Sequence, residues 1–340
     1  MANFDKLQVL QIKKIQVRKL LESPVKLKLL TQPEVGLERE ILDKSIYRPQ
    51  LLLTGFTELF NEKRVQIFGN TEFYYLQKQS LENKIKVFEQ LTNFNIPCII
   101  LTNNKEIEPE LLEIVNRKRI AVFNTPFDTT KTHYLLSEYL DDLFAPQSVI
   151  HGSFVDVYGV GILFIGRSGI GKSEIALDLV ERGHRLVADD VVMLTKKREN
   201  ILMGTGTSLV KHFMEIRGLG IIDVRQMFGI RSIRFQKRLE IIVELLDWNP
   251  NEEYTRIGLD EEPVDIMGVE ISAVKLPIFP GKNITVIAEV IAINYLLRTY
   301  GYNAAKTFAD NLSEHIKKNK EPGSAFEDQR HISWFQADNE

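Results

Sequence analysis

Apolar runs that close on glycine or paired asparagine alternate with helical periodicity through the first third of the chain. Val9–Ile12 has strand character, and Lys14–Leu21 has the spacing of a short amphipathic helix. Arg48–Leu53 leads as an extended segment into Gly55, and Arg64–Gly69 is a second strand ending in glycine. Ile96–Thr102 is a continuous apolar run stopped by Asn103-Asn104, the pattern of a strand buried on both faces. Leu81–Phe94 and Glu110–Asn116 repeat as helices, and Ile120–Phe123 is strand-like. Strands alternating with helices predict a small α/β unit. It holds no glycine-rich loop, no metal-spaced cluster and no nucleophile elbow, so its residues do not by themselves say what it does.

Thr132–Phe144 reads as a helix that ends at Ala145-Pro146. From Val149 the texture changes to alternating apolar positions with frequent glycine. The division expected is an N-terminal α/β domain over 1–138, a second α/β domain over 139–313 and a polar tail over 314–340. Within the second domain, Ser153–Tyr158 alternates as a strand, Gly159–Gly161 turns, and Gly161–Ile165 is a buried strand. Glu240–Leu246 and Val269–Val274 are further strands, and Asn283–Thr299 is a long apolar helix.

The buried strand runs directly into Gly166-Arg167-Ser168-Gly169-Ile170-Gly171-Lys172-Ser173, and Glu174–Arg182 follows with helical spacing. This is the G-x-x-x-x-G-K-[ST] pattern in the strand–loop–helix setting that it requires. The glycines let successive backbone N–H groups face a phosphate-sized hollow, and the helix adds the positive end of its dipole. Lys172 is placed to neutralise β- and γ-phosphates, and the Ser173 hydroxyl to meet Mg²⁺. An ATP-dependent phosphoryl transfer follows as the expected chemistry, against a chance glycine-rich turn.

The acceptor side needs a proton acceptor and charge. The apolar strand Leu186–Ala188 ends in Asp189-Asp190, so one carboxylate could stand near the metal and the other take a proton, or the pair could be a solvated turn. The pattern does not divide those roles. His151, just before the strand that leads to the loop, is a second candidate, although a lone histidine is more often structural. Met214–Asp223 mixes charge with closely spaced glycines, which makes it a poor core strand and places Glu215 in a plausible site loop. Arg256 is a candidate for cancelling transition-state charge, beside the plainer reading of an exposed arginine.

The 340 residues are 44% hydrophobic and 26% charged, with a formal net charge of −3, which advertises neither nucleic acid nor an anionic membrane as partner. Cys98, the one cysteine, lies in an apolar run and reads as core, so no internal disulfide can form. The first ten residues carry Asp5 and Lys6 rather than a signal-peptide core, and no apolar stretch reaches the length of a membrane span. A cytoplasmic enzyme is expected.

Several blocks in order resemble the bacterial HPr kinase/phosphorylase family: His151-Gly152, the loop with Lys172-Ser173-Glu174, Arg182–Asp190, Met214–Asp223 and Pro277–Asn283. Arg48-Pro49, Thr54–Phe56, Arg64–Gly69 and Thr71-Glu72 extend the likeness into the first unit, so that it covers roughly residues 10 to 310. Met214–Asp223 is the most specific block. The resemblance implies phosphorylation of a serine of HPr, the phosphocarrier protein of the sugar phosphotransferase system, with ATP or pyrophosphate. It also implies phosphorolysis of that phosphoserine by inorganic phosphate, giving pyrophosphate, and a part in regulating carbon metabolism. Carried over, residues 166–173 bind nucleotide, Ser173 and Glu215 hold Mg²⁺, and one aspartate of the 189–190 pair is the base, or the acid in reverse. His151, Lys172 and Arg256 act around the transferred group. Met214–Asp223 is implicated in both directions and Pro277–Lys282 mainly in dephosphorylation. The family's catalytic domain resembles phosphoenolpyruvate carboxykinase, and the family assembles as a hexamer. Two positions depart from the pattern: Arg167 stands where many members are acidic, and Lys282 where many have arginine, keeping charge but losing the bidentate fork. A small-molecule P-loop kinase and a nucleotide-switched regulator are the alternatives, the second having less need of a proton acceptor.

Overall fold

A computed structural model describes residues 7–197, 200–207, 212–249, 261–279, 281 and 283–318. The chain begins with β1 (Val9–Leu10), β2 (Ile15–Gln16), β3 (Lys28–Leu29), β4 (Glu40–Ile41) and β5 (Ile46–Tyr47). Helix α1 (Gln50–Leu53), β6 (Val65–Phe68), α2 (Asn70–Gln77) and α3 (Leu81–Thr92) follow. The first unit ends with β7 (Cys98–Leu101), α4 (Pro109–Arg117), β8 (Ala121–Asn124) and α5 (Thr129–Leu143). Its sheet has the order β3-β8-β7-β6-β5, parallel throughout β5–β8. The three central strands are buried at every position, which is why they read as unbroken apolar runs. Helices α1 to α4 cover one face and α5 the other. Cys98 is fully buried, and burial pushes its thiol pKa far up.

Two expectations here are corrected. Lys14–Leu21 is not an α-helix: Ile15–Gln16 pairs with β4, and a 3₁₀ turn, Val17–Glu22, follows. Its apolar residues Val17 and Leu20 sit three apart, a spacing that a 3₁₀ turn satisfies as well as an α-helix. Residues 50–53 are helical rather than extended, with Pro49 at the cap.

The second unit contains β9 (Gln147–His151), β10 (Ser153–Val157), β11 (Val160–Ile165), α6 (Lys172–Glu181), β12 (Arg185–Ala188), β13 (Val191–Lys197) and β14 (Ile201–Gly206). Then come β15 (Phe213–Ile216), β16 (Gly220–Asp223), α7 (Val224–Phe228), β17 (Gln236–Arg238), β18 (Ile241–Asp247), β19 (Glu261–Asp265), β20 (Glu270–Ile278), α8 (Ile284–Thr299) and α9 (Ala304–Lys318). A six-stranded mixed sheet, β12-β10-β11-β18-β20-β19, carries α6 and α8 on one face. An antiparallel sheet, β1-β9-β13-β14-β17, packs on its other face through Ile150, Phe154, Leu163, Val192 and Leu194.

The turn before β11 is tighter than expected, because Val160 already belongs to the strand. Met214–Asp223 is a β-hairpin rather than an open loop; Met214 and Ile222 are buried against the core while Glu215 and Ile221 face out. The polar segment from 314 begins as the end of helix α9, and residues 319–340 lie outside the described residues.

The start of the chain belongs to the second unit's sheet. Val9 and Leu10 pair with Ser148 and Gln147, and the Ser148 hydroxyl donates to the carbonyl of Gln8.

Candidate active site

Strand β11 lies beside β18 in the parallel part of the sheet, and the glycine-rich loop leaves its carboxyl end. Gly166 adopts φ +148°, and a Cβ there would sit 2.7 Å from the carbonyl oxygen of Leu245, so glycine alone fits. Helix α6 starts at Lys172 with Gly171 as its left-handed cap. The helix buries Ile175, Ala176, Leu179 and Val180 against the sheet, which fixes the direction of its N-terminus. Lys172 Nζ donates to the carbonyls of Gly166 (3.2 Å) and Arg167 (3.1 Å). Arg167 makes a forked pair with Asp247 at the end of β18, its Nη2 lying 2.7 Å from one carboxylate oxygen.

The two aspartates after β12 occupy different surroundings. Asp189 is buried; it accepts a hydrogen bond from Ser153 and another from the Ser173 hydroxyl, whose oxygen lies 2.9 and 3.1 Å from its two carboxylate oxygens. Burial pushes the Asp189 carboxyl above its ordinary pKa, against the pull of those hydroxyls. Asp190 has φ +62° and an exposed side chain. His151 lies across the ladder from Val191, and its Nδ1 is 3.7 Å from an Asp190 oxygen. The carbonyl of Asp190 also accepts from Gly152 N–H at 3.1 Å, which ties the aspartate turn to the strand carrying the histidine.

The β15–β16 hairpin packs against α6. Glu215 is exposed on it, opposite Ile221. Arg217, in the turn, donates to the Ser168 hydroxyl at 3.1 Å. Nothing in the sequence pattern marks Ser153 or Asp247, whereas Arg217 has a signal as the cation of the glycine-spaced block. The structure thus gathers Ser173 with Asp189, and His151 with Asp190, beside the loop. Arg256 and Lys282 lie outside the described residues.

Hydroxyl and carboxylate oxygens are the donors that Mg²⁺ takes. No cluster of three or more histidine, cysteine or acidic side chains gathers among the described residues, and Mg²⁺ shared with phosphates does not require one. Among those residues no helix is long and apolar enough to cross a membrane.

Two family models and curated relatives match most of the chain. The family model described as HPr Serine kinase N terminus matches residues 15–140, and that described as HPr Serine kinase C-terminal domain matches 142–312. The chain is 55% identical over 292 residues to the HPr kinase/phosphorylase of Chloroherpeton thalassium, covering 86% of each chain. It is 53% identical over 282 residues to the HPr kinase/phosphorylase of Prosthecochloris aestuarii, covering 83% of this chain and 82% of that one. Among solved structures, the Hpr(Ser) kinase/phosphatase from Coxiella burnetii aligns at 31% identity over 47% of this chain and 97% of that chain, with a TM-score of 0.43.

Proposed function

The chain belongs to the HPr serine kinase family, with both of its domains, and from that membership we propose that it phosphorylates a serine of HPr with ATP and reverses the modification with inorganic phosphate. The single observation that carries the chemistry is the loop with Ser173 beside the paired aspartates, 189 buried and 190 open.

In the forward direction the glycine-rich loop and Lys172 hold the β- and γ-phosphates. The acceptor serine oxygen forms its bond to the γ-phosphorus as the bond to the β–γ bridging oxygen breaks, and ADP leaves. Asp190 takes the serine proton. It is the exposed carboxylate of the two, whereas Asp189 is already occupied by two hydroxyls and is set to orient Ser173. His151 stands next to Asp190 and helps to hold its charge. Ser173 and Glu215 would hold Mg²⁺, which would supply positive charge to neutralise the phosphates. In reverse, inorganic phosphate attacks the seryl phosphate, Asp190 returns the proton to the serine oxygen, and pyrophosphate leaves. Arg256 would add charge at the transferred group. The domain split between residues 138 and 139, a hexameric assembly, a cytoplasmic setting and a carboxykinase-like catalytic domain belong to the same reading.

The test incubates the chain with Mg²⁺, ATP and HPr of the same organism and follows HPr by intact mass, adding inorganic phosphate once ATP is removed. One phosphoryl group gained on serine, then lost with pyrophosphate released, is the expected result. ATP turnover that needs a small metabolite and ignores HPr would overturn it.

A further inference from the structure

Among the described residues, three cationic side chains stand in or against the phosphate-binding loop: Arg167, Lys172 and Arg217. Arg167 is already neutralised, with two of its nitrogens held by Asp247. Lys172 rests on carbonyls of the loop itself. Arg217 comes from a different element, the turn of the β15–β16 hairpin, and its guanidinium lies directly over the loop. A Cβ on Gly169 would fall 2.4 Å from one terminal nitrogen of Arg217 and 2.8 Å from its Cζ. Gly169 therefore leaves room for the guanidinium as well as for its own φ of +78°.

The bond that Arg217 makes there is to a neutral hydroxyl and uses one of its five N–H donors. A phosphate oxygen in the same hollow offers a charge-assisted bond about twice as strong, and the planar fork can engage two oxygens at once. We propose that Arg217 is a phosphate-contacting residue of the transfer reaction. It exchanges the Ser168 hydroxyl for phosphate oxygens of ATP, or of pyrophosphate, and so draws the hairpin onto the loaded loop. Glu215 stands two residues earlier in the same hairpin, so the movement that seats Arg217 also sets the position of Glu215. This inference rests on the loop being the phosphoryl-transfer site.

The experiment measures pyrophosphate and ATP binding by calorimetry, with Mg²⁺, for the wild type, Arg217→Ala, Arg217→Gln and Arg217→Lys, alongside transfer to HPr in both directions. Arg217→Gln keeps a donor for the Ser168 hydroxyl and removes the charge, so it separates a structural latch from a phosphate contact. The expected result is pyrophosphate affinity reduced at least about tenfold in the alanine and glutamine variants, with transfer down roughly 10²–10³-fold. The lysine variant should recover most of the affinity and less of the rate, because it keeps charge without the fork. Pyrophosphate affinity within about twofold of wild type in Arg217→Gln, at an unchanged melting temperature, would overturn the proposal. A wild-type chain that binds pyrophosphate but never modifies HPr would instead overturn the HPr reading and leave the Arg217 comparison standing.

Discussion

The Ser173 hydroxyl shares its one proton between the two oxygens of Asp189, at 2.9 and 3.1 Å, although the two residues belong to a helix start and a strand end. That contact commits Asp189 to the loop and leaves Asp190, at φ +62°, as the exposed carboxylate of the pair.

On the proposed mechanism, Asp190→Asn should therefore remove the proton acceptor and little else. Transfer to HPr is expected to fall about 10²–10⁴-fold while ATP affinity stays within a few-fold. Stopped-flow transfer with parallel nucleotide titration checks this; transfer at the wild-type rate would assign the base elsewhere.

Asp189 gives a stability signature with a definite sign. Its folded pKa is raised by burial, so above the ordinary carboxylate range the folded chain still holds a proton that the unfolded chain has released. Stability then falls as pH rises through that window, the Asp189 contribution being fully present only in acid. Asp189→Asn lacks this loss. Without nucleotide or metal it should melt higher than wild type at neutral pH, and the difference should vanish in acid. Melting temperatures across pH in the presence of a chelator decide it, and equal values at pH 7 would count against the buried charge.

Glu289 behaves in the opposite sense. Its carboxylate takes a forked pair from Arg182, at 2.9 and 2.7 Å, and lies 3.0 Å from His184 Nε2, so it joins the end of α6 to α8. The Arg182 hydrogen bond is the main force holding its pKa below the ordinary value, with His184 adding to it. This contribution is present above the ordinary carboxylate range and is lost as pH falls through the lowered value. Glu289→Gln should lower the melting temperature by a few degrees at neutral pH, with the gap closing in acid. A gap that persists at low pH would point to packing rather than charge.

Gly161→Ala tests the sheet that carries the loop. A Cβ at this position would lie 2.0 Å from the carbonyl oxygen of Arg238, a backbone atom with no room to yield. Overpacking of this kind costs about 1–3 kcal/mol, which chemical denaturation of the variant would show as a lower midpoint. An unchanged midpoint would mean that β11 and the Arg238 segment can separate at little cost.

Sequence patterns disclosed the elements whose burial is uniform. Strands β6, β7 and β11 are buried at every position, and their apolar runs have no other use. The loop was legible because its glycine and lysine spacing matches the pattern that a phosphate-binding turn requires. The antiparallel sheet escaped notice because β13 and β14 are only half-buried and carry Thr195, Lys196 and Lys197 among their apolar residues. The contrast in surroundings between Asp189 and Asp190 was equally hidden, since it depends on Ser153 and Ser173, brought in from two other elements. Arg217 stood within a segment marked as unusual, but its position over Gly169 depends on how the hairpin folds against α6.

The pairing of Val9 and Leu10 with Ser148 and Gln147 changes how the first unit should be pictured. It is not a bead hung on one string; the chain leaves the second unit's sheet at β1 and comes back to the neighbouring strand β9. The intervening residues form an excursion with two stems rooted side by side. Such an attachment resists free swinging, because any rotation must twist both stems together. A rearrangement in the first unit would then pull on β9, the strand that ends at His151, without needing a separate contact to carry it.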